Sequence, residues 1–97
     1  MRIISRRAFR KFWEKHPESE SSLSDFYRKV KRVEAANFAE LRQIFPSADN
    51  VGDCLVFNVG GNKYRVIAHL DFEIQTMWIR FVLSHVEYDK DRWKADC

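Results

Sequence analysis

Cysteine is scarce in this sequence: Cys54 and Cys97 are the only two among 97 residues. They form neither a CxxC pair nor the array of cysteines found in disulfide-rich domains. The sequence therefore predicts a reducing compartment and no structural zinc. We expect both cysteines to be bystanders.

Long apolar segments are also absent. The sequence has no run of about 18 apolar residues, the minimum for a membrane-spanning helix. Its basic start, MRIIS, leads directly into charged residues instead of the apolar stretch of a secretion signal. No internal repeat or low-complexity segment interrupts the chain. These features predict a soluble cytoplasmic protein without membrane contact.

The residues that are present favour a globular protein. The composition is 45% hydrophobic, 14% aromatic and 32% charged, which provides material for a core and enough charge for solubility. With 97 residues, the chain is near the lower end of sizes that fold without cross-links. We expect residues 1–97 to form one domain, so no second domain can share a catalytic site.

Positive charge is concentrated in the first third of the chain, although the formal net charge is only +3. A basic surface attracts polyanions, nucleic acid above all, or an acidic protein partner. The alternative is that these charges only solvate two helix faces. The basic residues concerned are Arg2, Arg6, Arg7, Arg10, Lys11, Lys15, Arg28, Lys29, Lys31 and Arg32.

The first half of the chain has the period of helices. Residues 1–4 predict a short strand, and Ser5 is suited to cap a first helix. Pro17 is suited to the first turn of a second helix, and Asn37 to the start of a short third one that ends before Pro46. The apolar faces of the first two helices are Phe9, Phe12, Trp13 and His16, then Leu23, Phe26, Tyr27, Val30 and Val33. We expect these two helices to form an antiparallel pair.

After Pro46 the apolar period changes from about 3.6 to about 2, which indicates strands. We predict strands at 54–59, 63–70 and 76–85, with a tight turn at Gly60 and Gly61. Three consecutive strands with short links form an antiparallel meander, and the helices pack on one of its faces. The predicted fold class is α+β.

Four polar residues of these strands should meet in space. Alternation places Lys63 and Arg65 on one face of their strand, away from Tyr64, Val66 and Ala68. On the following strand, Ile79, Phe81, Leu83 and His85 share a face, opposite Trp78, Arg80 and Val82. Because antiparallel neighbours bring the start of one strand near the end of the next, Lys63 and Arg65 should approach His85 and Tyr88.

This group has the parts that RNA cleavage by 2′-hydroxyl attack requires. The reaction needs a base for the 2′ proton, an acid for the 5′ oxygen and positive charge beside the phosphate. His85 can carry protons near neutral pH, and Arg65 offers a planar fork for phosphate oxygens. The alternative is structural, since edge-strand cations prevent aggregation and a strand-end histidine is commonly a surface residue. His16, His69 and His85 are far apart in the sequence and lack a carboxylate or thiolate at ligand spacing, so we predict no metal. We also predict no cofactor.

Three segments of the sequence resemble the HigB family of bacterial toxins, within the RelE-like superfamily. They are MRIISRRAFRKFWEKHP, VFNVGGNKYRVIAHL and IRFVLSHVEYDK, which occur in family order over nearly the whole chain. The resemblance implies a compact RelE-like fold, with helices over an antiparallel sheet. It also implies a type II toxin that cleaves mRNA on the translating ribosome without metal and is inhibited by a HigA-type helix-turn-helix antitoxin.

The resemblance also implies roles for individual residues. Lys63 would hold the phosphate or transfer a proton, Arg65 would stabilise the transition state, and His85 would be the leading acid or base. Tyr88 would orient the substrate or share the proton work. Arg80 and Lys90 are weaker candidates for RNA contacts. Docking on ribosomal RNA would involve basic residues of the helices, namely Arg6, Arg7, Arg10, Lys11, Lys29 and Arg32.

Two other functions remain open at this point. A toxin on the same scaffold could act without catalysis, as gyrase inhibitors do, and a plain RNA-binding domain could use the same cations for phosphate contacts only. An isolated toxin of this size is expected to be a monomer that forms hetero-oligomers with its antitoxin.

Overall fold

The computed structural model describes residues 1–97 and has five strands and four α-helices. Two short 3-10 helices, Pro17–Ser19 and Arg92–Asp96, complete the regular structure. In chain order, the strands and α-helices are β1 (Arg2–Ile4), α1 (Arg6–Lys15), α2 (Glu20–Arg32), α3 (Phe38–Ile44), β2 (Asp49–Val51), β3 (Cys54–Val59), β4 (Tyr64–Asp71), β5 (Thr76–Ser84) and α4 (His85–Asp89). The predicted α+β class is confirmed. None of the helices is long and apolar enough to cross a membrane.

The helices begin where the local signals predict. Ser5 is the extended residue before α1, although its side chain makes no capping hydrogen bond. Pro17 starts the 3-10 turn that leads into α2, because proline lacks the amide hydrogen that a continuing helix would need. At α3, the Asn37 side chain accepts a hydrogen bond from the Glu40 amide at 2.9 Å. The Glu40 side chain in turn accepts from the amide of Ala36, so the predicted capping box is completed one residue early.

The five strands form one mixed sheet in the order β1-β5-β4-β3-β2. Strands β3, β4 and β5 form the predicted antiparallel meander. The turn between β3 and β4 contains Gly60 and Gly61, both with a φ of +66° that side chains other than glycine rarely adopt. Strand β1 lies parallel to β5, which makes the sheet mixed instead of purely antiparallel. The short polar edge strand β2 was not predicted.

The main core lies between the helices and one face of the sheet. It includes the fully buried side chains of Phe9 from α1 and of Leu23 and Val30 from α2. The ring of Phe9 makes edge contacts with Phe26 and Tyr27, with both pairs of ring centroids 6.1 Å apart. These contacts pack α1 against α2, as the helical periods predict. The basic residues of both helices consequently face solvent.

A second, smaller apolar cluster lies on the opposite face of the sheet, here called the outer face. Its buried members are Cys54, Val56, Ile67 and Trp93. Trp93 belongs to the 3-10 segment after α4, so residues 85–97 cover part of the outer face. The predicted third meander strand ended at His85, but β5 ends at Ser84. There Ser84 and Glu87 form a capping box that starts α4, a helix that the sequence analysis missed.

Two predicted face assignments on β5 are wrong: Trp78 lies on the outer face, opposite Val82 instead of beside it, and Ile79 lies on the core face. Ile79 does not share a face with Phe81 and Leu83, because it packs against the main core while they pack against the outer cluster. The cause is a β-bulge: Ile67 pairs with Phe81 but Ala68 pairs with Ile79, which leaves Arg80 as an extra residue. An extra residue reverses the alternation of side chains beyond it. Sequence alternation alone does not reveal where such a residue is inserted.

The prediction that both cysteines are bystanders is also wrong, and the cysteine argument for a reducing compartment loses its basis. Cys54 of β3 and Cys97 form a disulfide that joins residues 43 apart in the sequence. The amide of Asp53 also donates a hydrogen bond of 2.9 Å to the carbonyl oxygen of Cys97. Gly52 is required beside this contact, because a Cβ at position 52 would lie 2.3 Å from the same oxygen. The segment that covers the outer face is therefore attached at its end as well as by Trp93.

We expect Cys97→Ser to lower the free energy of unfolding by about 2–4 kcal/mol, because the cross-link restricts a long loop in the unfolded chain. Urea denaturation of the oxidised protein and the variant measures this difference. Addition of a thiol reductant should bring the wild-type protein to the stability of the variant. Equal stability of the oxidised protein and the variant would contradict the prediction.

Candidate active site

The predicted group of polar residues surrounds the turn between β3 and β4. The pairing of Tyr64 with Ser84 places Lys63 beside His85. The His85 amide donates a hydrogen bond of 3.0 Å to the Lys63 carbonyl oxygen, which ties the start of α4 to the turn. The structure therefore brings together all four residues at the end of the sheet where β4 begins and β5 ends.

Arg65 is the buried centre of this group, with only 6% of its surface exposed. Its Nη1 donates to the carbonyl oxygens of Asn62 and Tyr64, both at 3.1 Å. Its Nη2 donates to Oδ1 of Asn62 at 2.7 Å and lies 3.5 Å from Nδ1 of His85. These bonds hold the plane of the guanidinium in one orientation.

No carboxylate pairs with this buried cation. The four ion pairs of the chain do not involve Arg65, and Asp89 of α4 is paired with His85. Buried charges in proteins are ordinarily neutralised by an opposite charge, because leaving water costs several kcal/mol. Arg65 therefore creates a positive potential that a bound anion would neutralise.

Residues 85–97, which cover part of the outer face, are here called the covering segment. Its aromatic rings, those of Tyr88 and Trp93, support Arg65. The guanidinium carbon of Arg65 lies 4.9 Å from the centre of the Tyr88 ring, within the range of a cation–π contact. The Tyr88 and Trp93 rings are stacked, with centroids 5.1 Å apart and planes inclined by 15°. Trp93 also donates a hydrogen bond of 3.0 Å from Nε1 to the Tyr88 carbonyl oxygen. The outer cluster thus continues directly into the site.

Both ring nitrogens of His85 face oxygen acceptors. Nδ1 lies 3.1 Å from the carbonyl oxygen of Asn62, and Nε2 lies 3.1 Å from a carboxylate oxygen of Asp89. Only the doubly protonated ring can donate to both, because the neutral ring carries a single N–H. The Asn62 carbonyl and the Asp89 carboxylate therefore hold the ring in one orientation. His85 is exposed, so a substrate can reach it.

Two other residues at this end of the sheet have distinct surroundings. Lys63 is exposed and makes no ion pair within the chain, so its ammonium group is free to meet a ligand. Tyr64 points into the main core instead. Burial, and secondarily the negative charge of Glu18, raises the pKa of the Tyr64 phenol above its ordinary value. This phenol stays protonated near neutral pH and is not a candidate base.

The remaining predicted RNA contacts are spread over several surfaces. Arg6, Arg7 and Arg10 are exposed on α1, and Lys11 lines a cleft between α1 and Glu87 of α4. On α2, Lys29 and Arg32 line a different cleft, in which the Lys29 ammonium lies 4.6 Å from the centre of the Phe45 ring. Lys90 lines a cleft with Phe81, Leu83 and Trp93, while Arg80 lies in another cleft beside β1. These residues do not form one continuous site.

Three residues of the site were missed in the sequence. Asn62 contacts both Arg65 and His85, Asp89 pairs with His85, and Trp93 stacks on Tyr88. The His85–Asp89 pair has the i, i+4 spacing of helical neighbours, which becomes visible only if α4 is recognised. Asn62 offered no signal beyond its place in a turn. No three His, Cys, Asp or Glu side chains converge as a metal site would require.

Comparisons with known proteins agree with this architecture. Residues 19–91 match the model of the HigB toxin family, described as the RelE-like toxic component of a toxin-antitoxin system. The chain belongs to the HigB toxin family. The match includes the whole polar group from Asn62 to Asp89.

Curated HigB proteins are similar over nearly the whole chain. An mRNA interferase HigB of Escherichia coli O6:H1 is 34% identical over 93 residues, which cover 93% of this chain and 90% of that protein. The mRNA interferase toxin HigB of Escherichia coli K12 is 36% identical over 92 residues, covering 92% and 88%. The mRNA interferase HigB of Shigella flexneri has the same identity and coverage as the K12 protein. These matches confirm the family resemblance, and they extend beyond residues 19–91 of the family model.

We expect Asn62→Ala to lower the free energy of unfolding by about 1–3 kcal/mol, because the buried Arg65 guanidinium loses a charge-assisted hydrogen bond. Asn50→Ala is the matched control, since Asn50 is an exposed asparagine of the edge strand β2. Its effect should stay within about 0.5 kcal/mol. Urea denaturation of both variants makes the comparison, and equal effects would show that the Asn62 side chain does not support Arg65.

Proposed function

We propose that this HigB-family chain is a cytoplasmic endoribonuclease toxin, a single domain over residues 1–97 that cleaves mRNA on the translating ribosome. The buried guanidinium of Arg65, which has no carboxylate partner and lies beside the His85 ring, carries this proposal. A phosphate diester supplies the missing negative charge. The mRNA interferase names of the similar HigB proteins support RNA as the substrate.

The reaction we propose is attack of a ribose 2′-hydroxyl on the adjacent phosphorus. The 2′-oxygen to phosphorus bond forms while the bond from phosphorus to the 5′-oxygen breaks, leaving a 2′,3′-cyclic phosphate and a 5′-hydroxyl. A base removes the 2′ proton, and an acid protonates the departing 5′-oxygen. Negative charge on the phosphoryl oxygens grows in the transition state, so a nearby fixed cation lowers the barrier.

Arg65 supplies that fixed charge. Its Nη atoms are engaged by Asn62 and Tyr64, so it acts mainly through the electrostatic potential of an already oriented group. Such a group needs no reorganisation during the reaction, which is what makes a fixed charge effective in catalysis. A freely moving lysine in this position would lose that advantage.

His85 is suited to the role of general acid. The Asn62 carbonyl and the Asp89 carboxylate orient its ring beside Arg65, and imidazole is the side chain most often used for proton transfer. Its exposed edge can deliver a proton to the 5′-oxygen. Lys63, exposed on the turn, either holds the phosphate or removes the 2′ proton, and Tyr88 keeps Arg65 in place and lies within reach of the substrate.

We expect His85→Ala to reduce cleavage of ribosome-bound mRNA by about 10²–10⁴-fold, the usual contribution of a general acid. Primer extension on an mRNA programmed on 70S ribosomes measures the cleavage. Val86→Ala is the matched control, because Val86 is the next residue of α4 and is 67% exposed. Its cleavage should equal that of the wild-type protein.

Several results would contradict the proposal. Full cleavage by the His85→Ala protein would remove His85 from the mechanism. Binding of RNA without any cleavage product, with and without ribosomes, would favour the RNA-binding alternative. DNA damage in cells without loss of mRNA would favour inhibition of gyrase.

The exposed arginines of α1 are proposed to dock the toxin on ribosomal RNA. Arg6, Arg7 and Arg10 are exposed on a helix that packs on the face opposite Arg65, so they can contact the ribosome while mRNA occupies the site. Lys11, Lys29, Arg32, Arg80 and Lys90 are further candidates for contacts with RNA phosphates. Each phosphate contact releases counterions and therefore weakens with salt.

We expect the triple substitution of Arg6, Arg7 and Arg10 by Gln to weaken ribosome binding and to flatten its dependence on salt. Each lost contact should reduce the slope of log K against log salt by about 0.7–0.9. Sedimentation with ribosomes at several salt concentrations measures both quantities. Arg42→Gln, which removes an exposed arginine of α3, serves as the control and should leave the slope unchanged.

A HigA-type helix-turn-helix antitoxin is the proposed partner that keeps the toxin inactive. The family description as the toxic component of a toxin-antitoxin system supports an antitoxin in general. An acidic antitoxin segment placed beside Arg65 would supply the same missing charge as the RNA phosphate. We propose that the isolated toxin is a monomer and that larger assemblies form through the antitoxin.

A further inference from the structure

The outer face of the sheet is only partly covered. Residues 85–97 lie over the end that contains Arg65. On β4 and β5 the outer cluster ends at Ile67 and Phe81, whereas on β3 it continues to Cys54, which the disulfide joins to Cys97. Beyond Ile67, alternation along β4 continues on the same face to His69. His69 is exposed, and its partner across the sheet is Trp78 of β5.

Packing in the apolar clusters does not account for the presence of Trp78 on this face. It belongs to neither of the two apolar clusters and is partly exposed. Its ring lies against the ring of His69, with centroids 5.9 Å apart and planes inclined by 37°. His69 is in turn held in place by a contact of 3.1 Å between its Nδ1 and the carbonyl oxygen of Asp53. Two adjacent, oriented aromatic rings are thus presented at the surface.

A cleft of about 530 Å³ lies at these rings. Ile4 and Ser5 close it on the side of β1, and Arg80, the extra residue of the β-bulge, supplies its exposed cation. Asp71 supplies a carboxylate, which can accept hydrogen bonds from a base amino group or a ribose hydroxyl. A volume in this range is sufficient for a small planar ligand.

Strand β5 connects the position of this cleft with the candidate active site. From Trp78, the outer side of β5 leads through Phe81 and Leu83 to His85 at the start of α4. The six residue steps from Trp78 to Ser84 correspond to about 20 Å at the usual rise of a strand. Phe81 and Leu83 also line the neighbouring cleft that contains Lys90 and Arg92. An extended single strand of RNA can follow this path.

We propose that the Trp78 cleft binds a nucleobase of the RNA substrate, several nucleotides away from the cleaved bond. This inference rests on the proposed ribonuclease function. The base stacks on Trp78 and His69, and Arg80 contacts an adjoining phosphate. Aromatic side chains on an open sheet face are a general means of binding single-stranded RNA, because every base has a face that can stack. The β-bulge contributes by placing Arg80 beside the rings.

The test measures binding of short RNAs that carry a 2′-deoxyribose at the scissile position. These RNAs cannot be cleaved, because the attacking 2′-hydroxyl is missing. Fluorescence anisotropy follows their binding to the wild-type protein and to Trp78→Ala, Trp78→Phe and Arg80→Gln. The RNAs are shortened one nucleotide at a time from either end. Arg42→Gln is the control for loss of one exposed positive charge, and thermal unfolding checks that each variant folds.

We expect Trp78→Ala to weaken binding of the longest RNA about tenfold, the usual effect of removing one stacking ring. Trp78→Phe should retain most of the affinity, because it keeps a stacking surface. Shortening the RNA from one end should reduce the affinity of the wild-type protein by the same factor when the stacked base is removed. For RNAs that lack this base, Trp78→Ala should have no effect on affinity. Arg80→Gln should weaken binding more than Arg42→Gln.

Equal binding by Trp78→Ala and the wild-type protein at all lengths would overturn the inference. A loss that is just as large with the shortest RNA would also overturn it, since the effect would then be structural. The inference would also be overturned if Trp78→Ala weakened binding of the antitoxin but not of RNA, because the cleft would then be a contact site for protein. Cleavage of ribosome-bound mRNA is assayed in parallel. Its absence with the wild-type protein would contradict the proposed ribonuclease function, whereas the binding comparison decides the subsite separately.

Discussion

The burial of the Arg65 guanidinium beneath residues 85–97 is the constraint on which the outer face of the sheet depends. A charge with 6% exposure and no carboxylate partner is stable only where many neutral groups orient around it. Here two carbonyl oxygens, one amide oxygen and the Tyr88 ring provide that surrounding. The turn at Asn62 and residues 85–97 both supply groups that surround the guanidinium, so both must keep a fixed position.

The chain holds the covering segment in three ways. The capping box of Ser84 and Glu87 starts α4, the stacked rings of Tyr88 and Trp93 pack it on the sheet, and the Cys54–Cys97 disulfide attaches its end. Stability and the proposed activity are therefore linked in this region. The main core between the helices and the sheet supports the strands from the other side and has no direct contact with the proposed chemistry. This separation leaves the outer face free to be polar, aromatic and partly open.

The sequence allowed much of this arrangement to be predicted. Strand alternation placed Lys63 and Arg65 on one face, and the meander brought them to His85 and Tyr88, because both inferences depend only on local periodicity and short turns. The basic helix faces were visible for the same reason. Asn62, Asp89 and Trp93 were not predicted, since each acts through a contact between segments that are distant or irregular. The bulge at Arg80 was also invisible, because one inserted residue leaves both neighbouring apolar patterns intact.

The amino-acid sequence by itself determined the α+β class, the order of β1, of the first three helices and of the meander strands, and the neighbourhood of the site. These follow from periods of about 3.6 and 2 and from capping and turn residues, all of which act over a few positions. Only the tertiary structure decided that Arg65 is buried without a counter-charge, that Cys54 meets Cys97, and that Trp78 and His69 lie together on the outer face beyond Ile67 and Phe81. Such features depend on which surfaces become neighbours when the chain closes, and no local pattern records that choice.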